Sequence, residues 1–201
     1  MLVVIGNQGV LAQTDFWQQT NGPLGGTVNV VAVNNTNGYV FAFVEGAGMV
    51  RSTDSGESWT PANSGLSDRV VHAITINADG ELFAGTNGQG VFRSTNQGES
   101  WAQVNSGIAS THRNIRALAV NSISGDLFAG ASASGLYRSR DNGNTWTPLP
   151  TGLNGAVTIQ ALALNQGSGV VFAGTDNRGE QSHDGSDRCR ITLRRRFPFE
   201  R

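Results

Sequence analysis

The apolar residues of this 201-residue chain fall into short runs that recur in the same order four times. The first run of each repeat closes on an asparagine and covers residues 28–34, 71–77, 115–121 and 159–165. The second run covers residues 39–42, 81–84, 126–129 and 170–173. Glycine and asparagine turn signals separate the two runs, which is the pattern of short strands joined by tight hairpins. These runs predict two strands per repeat, strands A and B.

A third apolar run, predicted strand C, leads through a polar turn to a tryptophan that begins strand D. It covers residues 48–51, 90–93 and 135–138. The tryptophans lie 42, 42 and 45 residues apart, at Trp17, Trp59, Trp101 and Trp146. Four short strands per unit of this length, with no helical periodicity, are typical of a β-propeller blade. The pattern predicts an all-β fold, a β-propeller of four-stranded antiparallel blades, with a β-solenoid as the alternative.

The repeats predict three complete blades and two partial ones. The complete units cover about residues 27–66, 68–108 and 112–153. Residues 156–179 supply only strands A and B, and a lone strand D lies around Trp17. Because propellers usually contain four to eight blades, we interpret residues 14–179 as a fragment of a larger propeller. Open blade edges would also favour self-association.

The two ends of the chain depart from the repeat. Residues 1–13 end in small residues of the kind that a signal peptidase reads, so they are a candidate remnant of a signal peptide. Residues 180–201 form a non-repeat basic tail, and seven of the fourteen arginines lie in the last 24 residues. We interpret this tail as a frame error or a truncated gene. The alternative is a genuine basic tail that contacts a partner.

Composition excludes several classes of function. A formal net charge of −1 provides no global field for nucleic acid. No apolar run reaches the roughly 18 residues of a membrane span. The single cysteine, Cys189, excludes an intramolecular disulfide and a multi-cysteine metal site, and the three histidines lack metal-ligand spacing. We therefore expect no metal, no cofactor, no nucleic-acid partner and no membrane span. The candidate signal-peptide remnant favours an extracellular or periplasmic location, with a cytoplasmic one as the alternative.

A motif of constant spacing fills each turn between strands C and D. Its three copies read STDSGESW from residue 52, STNQGESW from residue 94 and SRDNGNTW from residue 139. They resemble the Asp-box, or bacterial neuraminidase repeat. The resemblance implies a structural role, in which Asp or Asn accepts backbone hydrogen bonds, Gly adopts a conformation closed to other residues, and Trp packs into the blade. The residues with this expected role are Ser52, Asp54, Gly56, Trp59, Ser94, Asn96, Gly98, Trp101, Ser139, Asp141, Gly143 and Trp146.

The resemblance implies the fold more than an activity, since Asp-box propellers serve many functions. They include sialidases, family 74 xyloglucanases, sortilin-type Vps10 domains and photosystem II assembly factors. Sialidases carry an F/Y-R-I-P motif and a tyrosine nucleophile. The chain lacks that motif, and Tyr137 shares the register of core positions. We predict no catalytic residue; a glycosidase would need two facing carboxyl groups, for which Glu45 and Asp176 are the candidates.

Polar residues vary at fixed positions of the otherwise uniform repeat. In an up-and-down blade the B–C and D–A loops emerge on one face, and the motif turns emerge on the other. Variation on a rigid scaffold is expected of a binding surface. The candidate binding residues are Asn29, His72, Arg116 and Gln160 in strands A, Glu45, Asn87, Ser132 and Asp176 in B–C loops, and Arg69, His112 and Arg113 in D–A loops.

These observations predict a non-catalytic, secreted binding or scaffold propeller that grips a protein or a glycan through this variable face. The alternative is a fragment of a carbohydrate-active enzyme, sialidase-like or xyloglucanase-like, whose catalytic residues lie in missing blades. Arg51, Arg93 and Arg138 recur at one position of each complete blade. We expect them to make contacts between blades or to the backbone.

Overall fold

The alternation of apolar runs with glycine and asparagine turns folds each repeat into an antiparallel meander. The computed structural model describes residues 22, 25–67, 70–150 and 157–175, together with the backbone of Arg190–Arg196. These residues form four antiparallel sheets, one for each repeat. Their only helical segment is a 3-10 turn at Ser110–His112. The lone strand predicted around Trp17 lies outside the described residues.

The first three sheets each contain four strands, which lie side by side in chain order. In the first sheet they are β1 (Val28–Val33), β2 (Val40–Val44), β3 (Gly48–Ser52) and β4 (Thr60–Pro61). In the second they are β5 (Val71–Ile76), β6 (Leu82–Thr86), β7 (Val91–Ser94) and β8 (Ala102–Gln103). In the third they are β9 (Ile115–Val120), β10 (Leu127–Ala131), β11 (Gly135–Ser139) and β12 (Thr147–Leu149). The prediction of an all-β fold of four-stranded antiparallel blades is confirmed.

The fourth sheet draws a strand from the tail of the chain. It contains β13 (Ile159–Asn165), β14 (Val170–Thr175) and β15 (Arg190–Arg196), in that order. β15 pairs antiparallel with β14, which is the position that strand C holds in the other sheets. The repeat pattern did not predict this strand, because it stops before residue 180.

The sheets stack face to face in chain order, and their A strands are in contact from β1 to β5, from β5 to β9 and from β9 to β13. We call the side of a sheet that faces the preceding sheet its leading face, and the side that faces the next sheet its trailing face. Strand alternation divides the side chains between these faces. Phe41 of β2, for example, packs from the trailing face against Leu82 and Ala84 on the leading face of the second sheet.

The hydrophobic cores lie between neighbouring sheets. The first joins Phe41, Phe43 and Met49 to Val71, Leu82 and Phe92. The second joins Phe83 and Val91 to Ile115, Leu127 and Tyr137. The third joins Ala117, Phe128 and Leu136 to Ile159, Val171 and Ala173. Each sheet therefore completes its core only against its neighbours, as expected of a repeat architecture.

Two of the tryptophans pack into the hydrophobic cores, as expected, and also join their sheet to the preceding one. Trp101 and Trp146 are buried. The indole N–H of Trp101 donates to the carbonyl of Ala62, and that of Trp146 donates to the carbonyl of Val104, both at 2.8 Å. Strand D is the outermost strand, so the ring reaches sideways onto the neighbouring sheet. Trp59 is half-buried, and its indole donates to Gly56 of its own turn at 3.1 Å.

Candidate functional site

Hydrogen bonds within each motif turn involve the residues that the resemblance singled out. In the first turn the Ser52 hydroxyl accepts from the backbone N–H of Gly56 and donates to Asp54 Oδ1, both at 2.8 Å. The Asp54 carboxylate accepts from the backbone N–H of Ser58 at 2.9 Å and from its hydroxyl at 2.5 Å. The four residues thus close one tight loop, and both carboxylate oxygens are engaged in it.

The second and third turns repeat this arrangement with different side chains. Asn96 Oδ1 accepts from the N–H of Ser100 at 2.9 Å, and its Nδ2 donates to the Ser100 hydroxyl at 2.8 Å. Asp141 accepts from the N–H and the hydroxyl of Thr145, at 2.8 and 2.6 Å. The amide of Asn96 therefore makes the same two contacts as a carboxylate, with the donor and acceptor of one contact exchanged.

Hydrogen bonding in the turns lowers the pKa of both aspartates. The hydroxyl and backbone N–H of Ser58, with the Ser52 hydroxyl, lower the pKa of Asp54 from 3.8 to about 2. The Thr145 hydroxyl and N–H lower the pKa of Asp141. Because its folded pKa lies below the ordinary value, Asp54 stabilises the fold fully above about pH 3.8, and that contribution is lost as the pH falls towards 2. The contribution of Asp141 is also lost on acidification.

We expect Asp54→Asn to leave the free energy of unfolding at pH 7 nearly unchanged. We also expect it to reduce the loss of stability between pH 7 and pH 2.5. Asn96 shows that an amide can make both contacts of this turn, and an amide does not titrate between pH 2 and 7. Urea unfolding at pH 7 and near pH 2.5 measures the difference. Asp79→Asn, at an exposed turn, is the control. An unchanged acid dependence in Asp54→Asn would contradict the prediction.

Two of the recurring arginines contact the next sheet. Arg51 Nη1 donates to the carbonyl of Gln97, and Arg93 Nη1 donates to the carbonyl of Asn142, both at 2.8 Å. Gln97 and Asn142 hold the same position in their motif turns, with φ of 58° and 59°. The predicted contact between blades is confirmed for Arg51 and Arg93. Arg138 instead forms a buried ion pair with Asp126 of its own sheet.

The opposite end of each sheet carries the B–C loop beside the start of strand A. The first residue of each loop donates its backbone N–H to the carbonyl of the residue that directly precedes strand A. These bonds are Glu45 to Thr27 at 3.0 Å, Asn87 to Val70 at 3.1 Å and Ser132 to Asn114 at 2.8 Å. We call this end, with the B–C loops and the starts of strands A, the variable end. It brings those candidate binding residues that the structure describes onto one side of the sheets.

Every strand A has a β-bulge at its second residue. The pairing with strand B skips from Val28 to Val30, from Val71 to Ala73, from Ile115 to Ala117 and from Ile159 to Ala161. The skipped residues are Asn29, His72, Arg116 and Gln160. A bulge re-aims its side chain and is common beside binding and active sites. The same device thus presents four chemically different side chains at one end of a uniform scaffold.

Polar contacts at the variable end link some of the candidate residues. Asn29 Nδ2 donates to Glu45 Oε1 at 3.0 Å, and both residues are exposed. Asn87 forms an isolated bridge with Asn114, which joins the second sheet to the third. The Ser132 hydroxyl lies 3.3 Å from that of Thr158. Asp176 and Arg69 lie outside the described residues, so the predicted pairing of Glu45 with Asp176 is untested.

Positive charge dominates the described part of the variable end. Arg113 and Arg116 are half-buried, and Glu45 is the only carboxylate described at this end. Among the residues that the structure describes, neither guanidinium lies within salt-bridge distance of a carboxylate. The Nε atoms of both arginines and Oδ1 of Asn114 are buried there without a hydrogen-bond partner.

A buried pair that the sequence analysis did not predict lies behind this end. The Tyr137 hydroxyl is 2.6 Å from His112 Nδ1, and burial raises the pKa of Tyr137. Tyr137 is a core residue, as expected, and its hydroxyl is paired. His112 was a candidate binding residue, but one of its ring nitrogens is engaged with Tyr137. The two residues are 25 positions apart and on different elements, so no local pattern could reveal the pair.

A family profile matches residues 12–183, and its description is the DUF6242 beta propeller domain. The chain belongs to this family. The described sheets of this DUF6242 propeller agree with that description in architecture. The family's description specifies a fold and not an activity. No protein of curated function is significantly similar to the chain.

Solved structures of other propellers share the fold of this DUF6242 propeller. The extracellular domain of BT4673 from B. thetaiotaomicron has a TM-score of 0.65 at 18% identity, over 80% of this chain and 21% of that one. An ancestral GH74 enzyme has a TM-score of 0.66 at 24% identity, over 81% and 23%. YCF48 bound to D1 peptide has a TM-score of 0.59 at 19% identity, over 74% and 48%. The chain therefore spans less than half the length of each.

Membrane-spanning helices and clusters of metal ligands are both missing from the described part of the DUF6242 propeller. In this part of the chain no helix is long and apolar enough to cross a membrane. No group of three or more histidine, cysteine or acidic side chains is placed to hold a metal ion in the same residues.

Proposed function

We propose that this DUF6242 propeller is a non-catalytic, extracellular or periplasmic binding domain that holds a protein or glycan ligand at its variable end. The four bulges are the observation that carries the proposal. They place Asn29, His72, Arg116 and Gln160 at equivalent positions of four sheets whose backbones are otherwise alike. A rigid scaffold with different polar groups at equivalent points is suited to recognition.

Electrostatics favour a ligand with an anionic group. The guanidinium groups of Arg113 and Arg116 have buried Nε atoms without a partner among the described residues. Both side chains are only half-buried, and a carboxylate, sulfate or phosphate on the ligand would pair with the accessible part of their guanidinium groups, since guanidinium binds these anions through charge-assisted hydrogen bonds. Glu45, the acidic residue at this end, already accepts a hydrogen bond from Asn29.

Two structural neighbours support, respectively, an extracellular location and a binding role. One is the extracellular domain of BT4673, and another, YCF48, is bound to a D1 peptide. Their identity to this chain is below 20%, so they support the proposal by analogy of fold alone. We also propose that the three motif turns are Asp-boxes with a purely structural role, because their polar side chains are used within the turns.

We expect the double substitution His72→Ala with Arg116→Ala to weaken capture of the ligand by about 10- to 100-fold. Loss of one charge-assisted hydrogen bond costs about 1.5–3 kcal/mol. The ligand is first found by screening the wild-type protein against immobilised acidic and neutral glycans and a peptide library. Arg140→Ala, at an exposed position of the opposite end, is the matched control. Unchanged capture by the double variant, with intact folding, would reject the variable end as the site.

The second candidate is a fragment of a carbohydrate-active enzyme, and the similarity to an ancestral GH74 enzyme favours it. In that case Glu45 and Asp176 would act as the two carboxyl groups that glycoside hydrolysis requires. Assays with xyloglucan and sialosides, using the wild type and the variants Glu45→Gln and Asp176→Asn, separate the two functions. Turnover that either substitution abolishes would establish the enzyme and refute the non-catalytic role.

A further inference from the structure

The third sheet has a hydroxyl at a core position where the first two sheets have none. Tyr137 holds the place of Val50 in β3 and Phe92 in β7, each opposite an alanine of strand B. All three residues are buried. A buried hydroxyl costs free energy unless it is hydrogen-bonded, and the other two residues show that packing at this position does not need one. The Tyr137 hydroxyl lies 2.6 Å from His112 Nδ1, so this contact is what the hydroxyl adds.

His112 is the last residue of the 3-10 turn at Ser110–His112, which ends at Arg113. The backbone N–H of His112 donates to the carbonyl of Ala109 at 2.9 Å and so closes the turn. The Tyr137 ring belongs to the core between the second and third sheets. The contact of its hydroxyl with His112 therefore ties the turn to that core.

The backbone that follows the turn is fixed to a B–C loop on either side. The carbonyl of Arg113 accepts from the N–H of Gly88 at 3.1 Å and from that of Gly90 at 2.8 Å, both in the loop of the second sheet. The carbonyl of Asn114 accepts from the N–H of Ser132 at 2.8 Å, in the loop of the third sheet. The backbone of Arg113 is thus held from the core and from two neighbouring loops.

The Arg113 guanidinium, in contrast, has no protein partner among the described residues. Arg51 and Arg93 each donate to a carbonyl of the next sheet at 2.8 Å. Arg113 is half-buried, and the accessible part of its guanidinium remains for an anion, which it binds through charge-assisted hydrogen bonds. A fixed backbone therefore carries a charged head group that is not used inside the described protein.

We infer that Tyr137 is a positioning residue of the variable end, which acts through His112 to hold Arg113 in place for the anionic group of the ligand. The inference rests on the binding function proposed above. A contact residue whose backbone is fixed before binding loses less conformational freedom when the ligand binds, and the affinity rises accordingly. The contact itself belongs to Arg113, while Tyr137 and His112 support it from below.

Titration of the full chain with inorganic sulfate at constant ionic strength, followed by calorimetry, tests the inference. Tyr137→Phe should raise the dissociation constant for sulfate by about 3- to 10-fold, the effect of losing one hydrogen bond. The core should stay filled, because Phe92 is buried at the same position of the second sheet, and circular dichroism verifies the fold. Tyr39→Phe removes the hydroxyl of the other tyrosine, which is half-buried beside an A–B turn, and should leave binding unchanged.

A double-mutant cycle separates positioning from a general structural effect. Arg113→Ala should raise the dissociation constant by at least about 10-fold. Adding Tyr137→Phe to Arg113→Ala should have no further effect, because Tyr137 acts only through Arg113. If Arg113→Ala weakens binding but Tyr137→Phe has no effect, or has the same effect in both backgrounds, the inference is overturned and the binding function stands. A wild type that binds no sulfate, or an Arg113→Ala variant that binds it normally, would refute the anionic contact at Arg113 and the inference with it.

Discussion

Trp101→Ala should lower the free energy of unfolding by about 3–5 kcal/mol, the usual cost of emptying a buried aromatic site. The Trp101 ring belongs to the core between the first two sheets, and its indole N–H donates to the carbonyl of Ala62. The substitution therefore creates a cavity and removes the partner of a backbone carbonyl in the neighbouring sheet. Urea unfolding monitored by circular dichroism measures the loss.

Trp59→Ala is the matched control for this effect. Trp59 has the same place in its motif, but it is half-buried and donates to its own turn instead of a preceding sheet. We expect less than half the loss that Trp101→Ala causes. Equal losses for the two variants, or a loss below about 1 kcal/mol for Trp101→Ala, would show that the contact between sheets does not carry the stability.

Gly107→Ala should destabilise the fold by about 3 kcal/mol or more, through two separable costs. Gly107 has φ of +88°, where an L-residue pays about 1–2 kcal/mol. Its added Cβ would also lie 1.9 Å from the backbone carbonyl oxygen of Trp146, so the segment after β8 and the third sheet must move apart. Overpacking of this kind costs a further 1–3 kcal/mol, approximately. Denaturant unfolding of the variant measures the sum.

Gly125→Ala isolates the first of these costs. Gly125 has φ of +76°, but a Cβ there would meet nothing within 4 Å. Its substitution should cost only the backbone strain of about 1–2 kcal/mol. If the two variants lose the same free energy, the close approach between Gly107 and Trp146 is relaxed at little cost, and the packing of the third sheet on the second is looser than the structure indicates.

Much of the fold could be predicted because its determinants are local. Each strand B places a phenylalanine among apolar neighbours, and each hairpin has its own turn residues, so each of the three complete repeats predicts a four-stranded unit. The partner of the tryptophan could not be predicted in this way. A period of 42 residues is equally compatible with a ring packed in its own sheet or on the neighbouring one, and only the contact with Ala62 distinguishes them.

The candidate site was predicted less completely, because its geometry depends on pairing between segments. The up-and-down topology placed the B–C loops beside the starts of strands A, and bonds such as that from Glu45 to Thr27 agree. The bulge at His72 could not be predicted from the sequence, because it is defined by the pairing register between β5 and β6. The same holds for the bond between Asn29 and Glu45, and for the strand that the tail adds to the fourth sheet.

The direction of the tryptophan contacts has a consequence for synthesis on the ribosome. The rings of Trp101 and Trp146 each reach back to a sheet that is translated earlier. A repeat that leaves the ribosome can therefore dock its tryptophan on a sheet that has already been synthesised. This contact does not depend on a later repeat. Because domains begin to fold from the N-terminus during synthesis, growth of the stack can keep pace with translation, and the newest sheet of a stalled chain carries an uncovered trailing face.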